Sequence, residues 1–322
     1  APVPEPRVFT NDEFEVFLAA SPGHEAALLA EVREHGFRSA RPVAGGVTFL
    51  GGWPEVWRAN LVVRGAGRVI ARLAEFRAMH LAQLDKRAHK IEWAKVLRTD
   101  MPFRVEASCK SSRIYHSGAA AERIETSIRE TLGARSSPEA DVVGRVRIED
   151  DLCTLGIDTS GELLHKRGHK EAVAKAPMRE TMAAMFLRQC GYSGTEPVLD
   201  PMCGSGTFVI EAAEIAAGLH PGRTRHFAFE QLATFDAAAW NAMRDAAAAA
   251  RKPIADGVRF YGSDRDAGAV ASARANAERA GVTALTEFRQ ATVSELVRPA
   301  GPPGLVIVNP PYGTRIGDRN AL

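Results

Sequence analysis

The sequence predicts an α/β protein: a doubly wound, parallel sheet toward the carboxyl end, preceded by an α+β region. Three observations carry the first part. A short strand at 197–199 runs through Asp200-Pro201-Met202-Cys203-Gly204-Ser205-Gly206-Thr207 into a helical pattern at 208–217. A second strand, 258–264, ends in Asp264, and Asp266 opens a helix over 267–280. A third apolar run, 305–308, closes on Asn309-Pro310-Pro311-Tyr312. Short apolar strands alternating with helices build parallel sheets, and such sheets do their chemistry at the carboxyl ends of the strands.

From the amino end, residues 15–20 read as a strand. Residues 23–35 read as an amphipathic helix stopped by Gly36, and 47–50 as a strand stopped by Gly51 and Gly52. A helix at 54–63 and a strand at 68–76 complete a first α+β unit, residues 1–76. A second unit, 77–167, carries a helix at 81–90, a strand at 103–107, a helix at 119–132 and strands at 145–148 and 152–158. The loop Ser136-Ser137-Pro138 lies before those strands. The third unit, 168–322, holds the motifs above, with a helix at 177–189 and a strand at 285–288. Residues 218–235, with Arg223, Arg225 and His226, read as an insertion that either touches nucleic acid or forms a surface loop. The alanine run 246–250 is a helix former without chemistry.

Composition sets outer bounds. At 322 residues, with ordinary apolar and charged fractions, the chain is long enough for two or three domains with real cores. A net charge of +2 is too small to demand a nucleic acid partner, so that case depends on where the charges sit. Cys109, Cys153, Cys190 and Cys203 show neither metal-ligand spacing nor a disulfide framework, so no metal is expected. No run approaches the ~20 apolar residues of a membrane span, and the start lacks an export signal, so the expected location is the cytoplasm. Basic residues concentrate in the second unit. Lys86, Arg87, Lys90, Lys95, Arg98, Arg104, Lys110, Arg113 and His116 face only Glu92, Asp100 and Glu106 after Asp85. Trp93, Phe103 and Tyr115 lie among them, a mixture suited to phosphates and unpaired bases or, equally, to a solvated helix face over core aromatics.

The turn at 203–206 brings backbone close beneath a ligand, and the helix after it presents unpaired N–H groups. A dinucleotide fingerprint would need a third glycine where Val209 stands, and a phosphate loop would need a lysine that is absent. Asp264, at the next strand end, either takes both hydroxyls of a ribose or caps the helix that Asp266 begins. In Asn309-Pro310-Pro311-Tyr312 the prolines remove two donors, leaving carbonyl oxygens and the Asn309 side chain as acceptors for something such as an exocyclic amine.

The turn, the acid after the next strand and the Asn-Pro-Pro-Tyr sequence together resemble the class I S-adenosylmethionine-dependent methyltransferases that modify exocyclic amines. Residues Phe103-Arg104-Val105-Glu106-Ala107-Ser108-Cys109-Lys110-Ser111-Ser112-Arg113-Ile114-Tyr115-His116, with the helix at 119–132, look like a THUMP domain. Leu163-Leu164-His165-Lys166-Arg167-Gly168 and Lys175-Ala176-Pro177-Met178-Arg179-Glu180-Thr181 are similar to the junction in bacterial 23S ribosomal RNA guanine-N2 methyltransferases. His165 and His169 read as part of that basic junction.

The resemblance implies a Rossmann-like methyltransferase domain behind a ferredoxin-like unit (1–76) and a THUMP domain (77–167). It implies S-adenosylmethionine held by Pro177, Asp200, Pro201, Met202, Cys203, Gly204, Ser205, Gly206, Thr207, Asp264, Arg265, Thr292 and Asn309. Methyl transfer falls to Asn309, Pro310, Pro311 and Tyr312, and RNA contact to Lys86, Lys90, Lys110, Arg113 and His116. Thr292 stands where the family carries an acid for the adenine amine, so a weaker grip or a backbone contact is expected there. The sheet is expected to need further strands after Tyr312. Ribosomal RNA is the expected substrate. The alternatives are transfer RNA, adenine-N6 in DNA, or an RNA-binding module without catalysis; the proton acceptor and the oligomeric state stay open.

Overall fold

The computed structural model describes residues 7–8, 13–168, 178–254 and 259–310. The chain divides into two compact units, Ala1–Leu164 with Arg225–Ala246 and His165–Thr224 with Ala247–Leu322.

In chain order the first unit begins with β1 (Arg7–Val8), β2 (Phe14–Ala19), α1 (Glu25–Glu34), β3 (Arg38–Val43), β4 (Gly46–Gly51), α2 (Trp53–Val62) and β5 (Val69–Arg77). From β2 to β5 this is βαββαβ with antiparallel strands in the order β3-β4-β2-β5, a ferredoxin-like arrangement. It continues through α3 (Leu81–Ala88), β6 (Phe103–Lys110), α4 (Ser117–Leu132), β7 (Val142–Glu149) and β8 (Leu152–Asp158). The sequence separates two units at residue 76, but β5 pairs with β8 from Ile70↔Asp158 to Arg77↔Leu152, with one register shift between Arg72 and Ala74, so one eight-stranded sheet runs through both. Helical crossover α4 joins β6 to its parallel neighbour β7, as a parallel pair requires. The inner face of this sheet buries Val16, Phe49, Ala71, Ile148 and Leu155 against helices that contribute Leu28, Leu61 and Ile124.

The second unit contributes α5 (Glu180–Gln189), β9 (Val198–Asp200) and α6 (Thr207–Ala216). After α7 (Ala237–Ala249) it continues with β10 (Phe260–Asp264), α8 (Ala267–Ala280), β11 (Thr286–Gln290) and β12 (Leu305–Val306). Its four strands are parallel and ordered β11-β10-β9-β12. The order reverses between β9 and β12, which makes that seam the topological switch point. Val198, Phe208, Val209, Phe260, Ala273 and Phe288 form its buried core.

The insertion read at 218–235 is neither loose nor wholly part of the second unit. Residues from Arg225 on belong to the first, where Phe229 packs on Trp57 and Trp240, with ring centroids 6.1 and 5.0 Å away. Arg225 donates to the carbonyls of Ser160, Glu162 and Leu163, and Arg223, in the second unit, pairs with buried Glu214 at 2.6 Å. Both arginines thus serve internal contacts, while His226 is exposed beside Glu230.

Candidate cofactor site and basic surface

All three motif loops leave the same edge of the second unit's sheet, because the strands they follow are parallel neighbours. The loop after β9 forms first. Buried Asp200 ends the strand and turns it by accepting from the Met202 amide at 2.9 Å. The Cys203 amide bonds to the Ser263 carbonyl at 2.8 Å, which ties the turn to β10. Gly204 takes φ +52°, a left-handed conformation, and a Cβ there would project into open space, so this edge of the turn is free for a close ligand. The Gly204 amide donates to Asp264 Oδ2 at 2.9 Å. Gly206 takes φ +86° one residue before α6, and the ring of Phe288 already lies 3.1 Å from where its Cβ would be.

Asp264 does two local jobs. Oδ2 braces Gly204, and Oδ1 accepts from the Asp266 amide at 3.0 Å. The helix cap proper is Asp266, whose carboxylate accepts from Gly268 and Ala269. The next loop is held by the Ala291 amide on the Asp264 carbonyl at 3.0 Å, and Gln290 reaches the Arg265 carbonyl at 3.1 Å. Thr292 and the acid three residues on, Glu295, form a capping box around a short turn. The Thr292 amide and hydroxyl donate to Glu295 at 2.9 and 2.8 Å, and these bonds hold the Glu295 carboxyl below its ordinary range. Asn309 and Pro310 follow β12, whose Val306 pairs with Leu199 of β9; the Ile307 amide bonds to the Leu199 carbonyl at 3.0 Å. Asn309 is exposed, three residues past the strand end. Pro177, Pro311 and Tyr312 lie outside the described residues.

Electrostatics here are set by burial. Desolvation pushes the Asp200 carboxyl up from 3.8 to about 7, partly opposed by the Met202 amide and reinforced by the charge on Asp264. The same burial drives the Cys203 thiol far above its ordinary range, which removes it as a nucleophile. The sign of the linkage at Asp200 follows from the raised value. Between 3.8 and about 7 the folded chain keeps a proton that the unfolded chain has released, so stability falls as pH rises through that window and levels off above it. The Asp200→Asn variant lacks this fall. Its stability relative to the parent should therefore climb across the same window, by up to about 1.4 kcal/mol per pH unit, as read by urea unfolding. Parallel pH profiles for the two proteins would show that Asp200 ionises in its ordinary range.

A glycine turn open on one side, the amino end of α6 and a carboxylate one strand over suit a ligand carrying an anionic group and a vicinal diol.

The basic surface is narrower than its composition suggests. Lys95 pairs with Glu92 at 2.5 Å, Arg98 with Asp100 at 2.5 Å, and Arg104 with Glu106, so the three acids of the stretch are all engaged. Lys110 lies 3.1 Å from Glu149, and His116 caps α4 by accepting from the Ala119 amide at 3.4 Å. Lys86, Lys90 and Arg113 are exposed, and the Arg113 amide is fixed on Asp151 at 2.8 Å. Trp93 and Phe103 are core residues, whereas Tyr115 is 82% exposed and is the aromatic of the three that faces solvent.

The parallel sheet, its switch point and the loops around it define a Rossmann-like methyltransferase domain, here joined to a ferredoxin-like region. Residues 167–322 match the RMKL-like methyltransferase domain and residues 15–70 the RlmL ferredoxin-like domain. The chain thus carries an RMKL-like methyltransferase domain behind an RlmL ferredoxin-like domain, as the resemblance in the sequence implies. The ribosomal RNA large subunit methyltransferases K/L of Vibrio campbellii and Vibrio parahaemolyticus are each 34% identical over 96% of this chain. The chain spans 45% of the length of these relatives. Among solved structures, a predicted N6-adenine-specific DNA methylase from Listeria monocytogenes superposes with a TM-score of 0.87 at 30% identity, covering 96% of this chain and 82% of that one. SMU.472 complexed with SAH gives 0.85 at 28%, covering 97% and 84%. Among the described residues no helix is long and apolar enough to cross a membrane.

Proposed function

We propose that the chain transfers a methyl group from S-adenosylmethionine to the exocyclic N2 amine of a guanosine in RNA, with 23S ribosomal RNA the substrate and the cytoplasm the place. The observation that carries this reading is that the loops after β9, β10 and β12 leave the same edge of the parallel sheet, with the Gly204 amide on the Asp264 carboxylate. The names of the Vibrio relatives support ribosomal RNA, and the SAH in SMU.472 supports the cofactor.

In this reading residues 200–207 and Pro177 cradle the cofactor, Asp264 meets its ribose, and Arg265 and Thr292 border the adenine, with Glu295 beside them. The bound cofactor supplies an electrophilic methyl on a sulfonium. The chain itself restrains the acceptor. A base amine is a poor nucleophile because its lone pair is delocalised into the ring. Asn309 Oδ1 and the Pro310 carbonyl take its hydrogens and so direct the lone pair out of that conjugation toward the methyl. Acceleration then comes mostly from positioning and a fixed field. Pro311 stiffens the turn, and Tyr312 stacks on the base once it is drawn out of its helix or loop. RNA is gathered by residues 77–167, through Lys86, Lys90, Lys110, Arg113 and His116.

A second reading, adenine-N6 methylation of DNA, is favoured by the name of the Listeria structure, and transfer RNA is the nearer alternative substrate. Incubating the protein with labelled cofactor and, separately, ribosomal RNA, transfer RNA and duplex DNA, then identifying the labelled nucleoside by mass spectrometry, separates them. N2-methylguanosine in 23S RNA is expected; N6-methyladenine in DNA would replace the proposal, and cofactor-independent RNA binding without product would leave only a binding module. Reversing charge at Lys110 and Arg113 should lower RNA affinity and flatten the slope of log K against log salt by about 2. An unchanged slope in a salt titration would mean that these side chains contact no phosphate.

A further inference from the structure

Asn276 sits in the middle of α8, on the face that also buries Ala273 and Ala277, and is 1% exposed. An amide in such a place is costly unless both its ends are bonded. Its Nδ2 donates to the carbonyl of Ser205, in the glycine turn 71 residues away in sequence, at 3.1 Å. Its Oδ1 accepts from Arg279 Nη2, one turn along the same helix, at 2.5 Å. A guanidinium can only donate, so Arg279 fixes which end of the amide faces the turn.

The consequence is a clamp. The peptide between Ser205 and Gly206 is held at its carbonyl by Asn276 and at its N–H by the Cys203 carbonyl, 2.8 Å away. The amides of Met202, Cys203 and Gly204 are held in turn by Asp200, Ser263 and Asp264. Gly204 and Gly206 both have positive φ, conformations a glycine visits but does not prefer over others, so the turn alone does not specify its own shape. Neighbouring elements specify it, and Asn276 is the contribution of α8.

We infer that Asn276, oriented by Arg279, is a positioning residue for the cofactor: it presets the 204–206 turn in the conformation that binds. This rests on the cofactor assignment above. Preorganisation of this kind appears in affinity, because an unclamped turn must be ordered at the moment of binding.

The Asn276→Asp variant tests it. An aspartate keeps the size and the partnership with Arg279 but sets an acceptor against the Ser205 carbonyl. Calorimetry with S-adenosylmethionine should show a dissociation constant raised about tenfold, with the KM for cofactor rising in parallel while kcat and RNA affinity stay close to the parent's. A residue that merely stabilised the fold would lower the melting temperature and leave the affinity of the folded protein alone. A dissociation constant within about twofold of the parent's, at a temperature where both are folded, would overturn the inference. If the aspartate variant fails to fold, Arg279→Gln serves instead. Loss of the orienting cation should weaken binding about threefold, and an unchanged value would again overturn it. No heat from the parent chain would remove the cofactor assignment itself, and this inference with it.

Discussion

The Asn309→Ala variant is expected to lose methyl transfer by about 10²–10³-fold in kcat while binding S-adenosylmethionine almost as the parent does. The two effects separate because Asn309 is assigned to the acceptor amine, whereas the donor is assigned mainly to Pro177 and the loops after β9, β10 and β11. Removing the side-chain oxygen leaves one amine hydrogen without a partner, so the lone pair stays in conjugation with the ring and the reaction loses its directed nucleophile. The fold should tolerate the change, since Asn309 is exposed and lies outside β12. Single-turnover rates on ribosomal RNA, alongside calorimetry with the cofactor, read both quantities. Full turnover in the variant would end the assignment of Asn309 to the amine. A parallel loss of cofactor affinity would place it in the cradle instead.

The parts of the molecule legible in the sequence are those whose signals are local. The helix at 267–280 is found with the same bounds, because Asp266 supplies the cap and Gly281, at φ +74°, the stop. The glycine turn could be placed for the same reason, since strand, turn and helix follow one another in the chain. What stayed hidden depends on partners far away. Strand β3 escaped notice because Arg38-Ser39-Ala40-Arg41-Pro42-Val43 is polar, contains a proline and lies at the sheet edge, where neither face needs a hydrophobic stripe. The continuity of the eight-stranded sheet rests on β5 meeting β8, a pairing no local pattern announces. The insertion reads as a surface loop or a nucleic-acid contact because its aromatics, Phe227, Phe229 and Phe235, are spread along it and meet one another and Trp240 only when folded. Asn276 offered one clue: a lone amide in a helix whose neighbours at 273, 277 and 280 are all alanine.

For Asp264 the structure sharpens the expectation, since ribose binding and the bracing of two loop amides draw on the same carboxylate. One oxygen braces the Gly204 amide and the other the Asp266 amide, yet each retains a lone pair directed away from those donors and able to accept from a sugar hydroxyl. Replacement by Ala should therefore act twice. Two loop amides lose their acceptor, which lowers the melting temperature of the protein without ligand, and the ribose loses its anchor, which weakens cofactor binding by about 1–3 kcal/mol. The Asp264→Asn variant tells the two apart. An asparagine retains one acceptor oxygen, enough for the Gly204 amide, but turns an NH2 toward the Asp266 amide and carries no charge to strengthen bonds from the diol. It should recover part of the lost stability and little of the lost affinity. If calorimetry instead gave both variants the parent's affinity while the Ala variant alone melted early, the carboxylate would be a brace for the turn and the ribose would have to be held by another group.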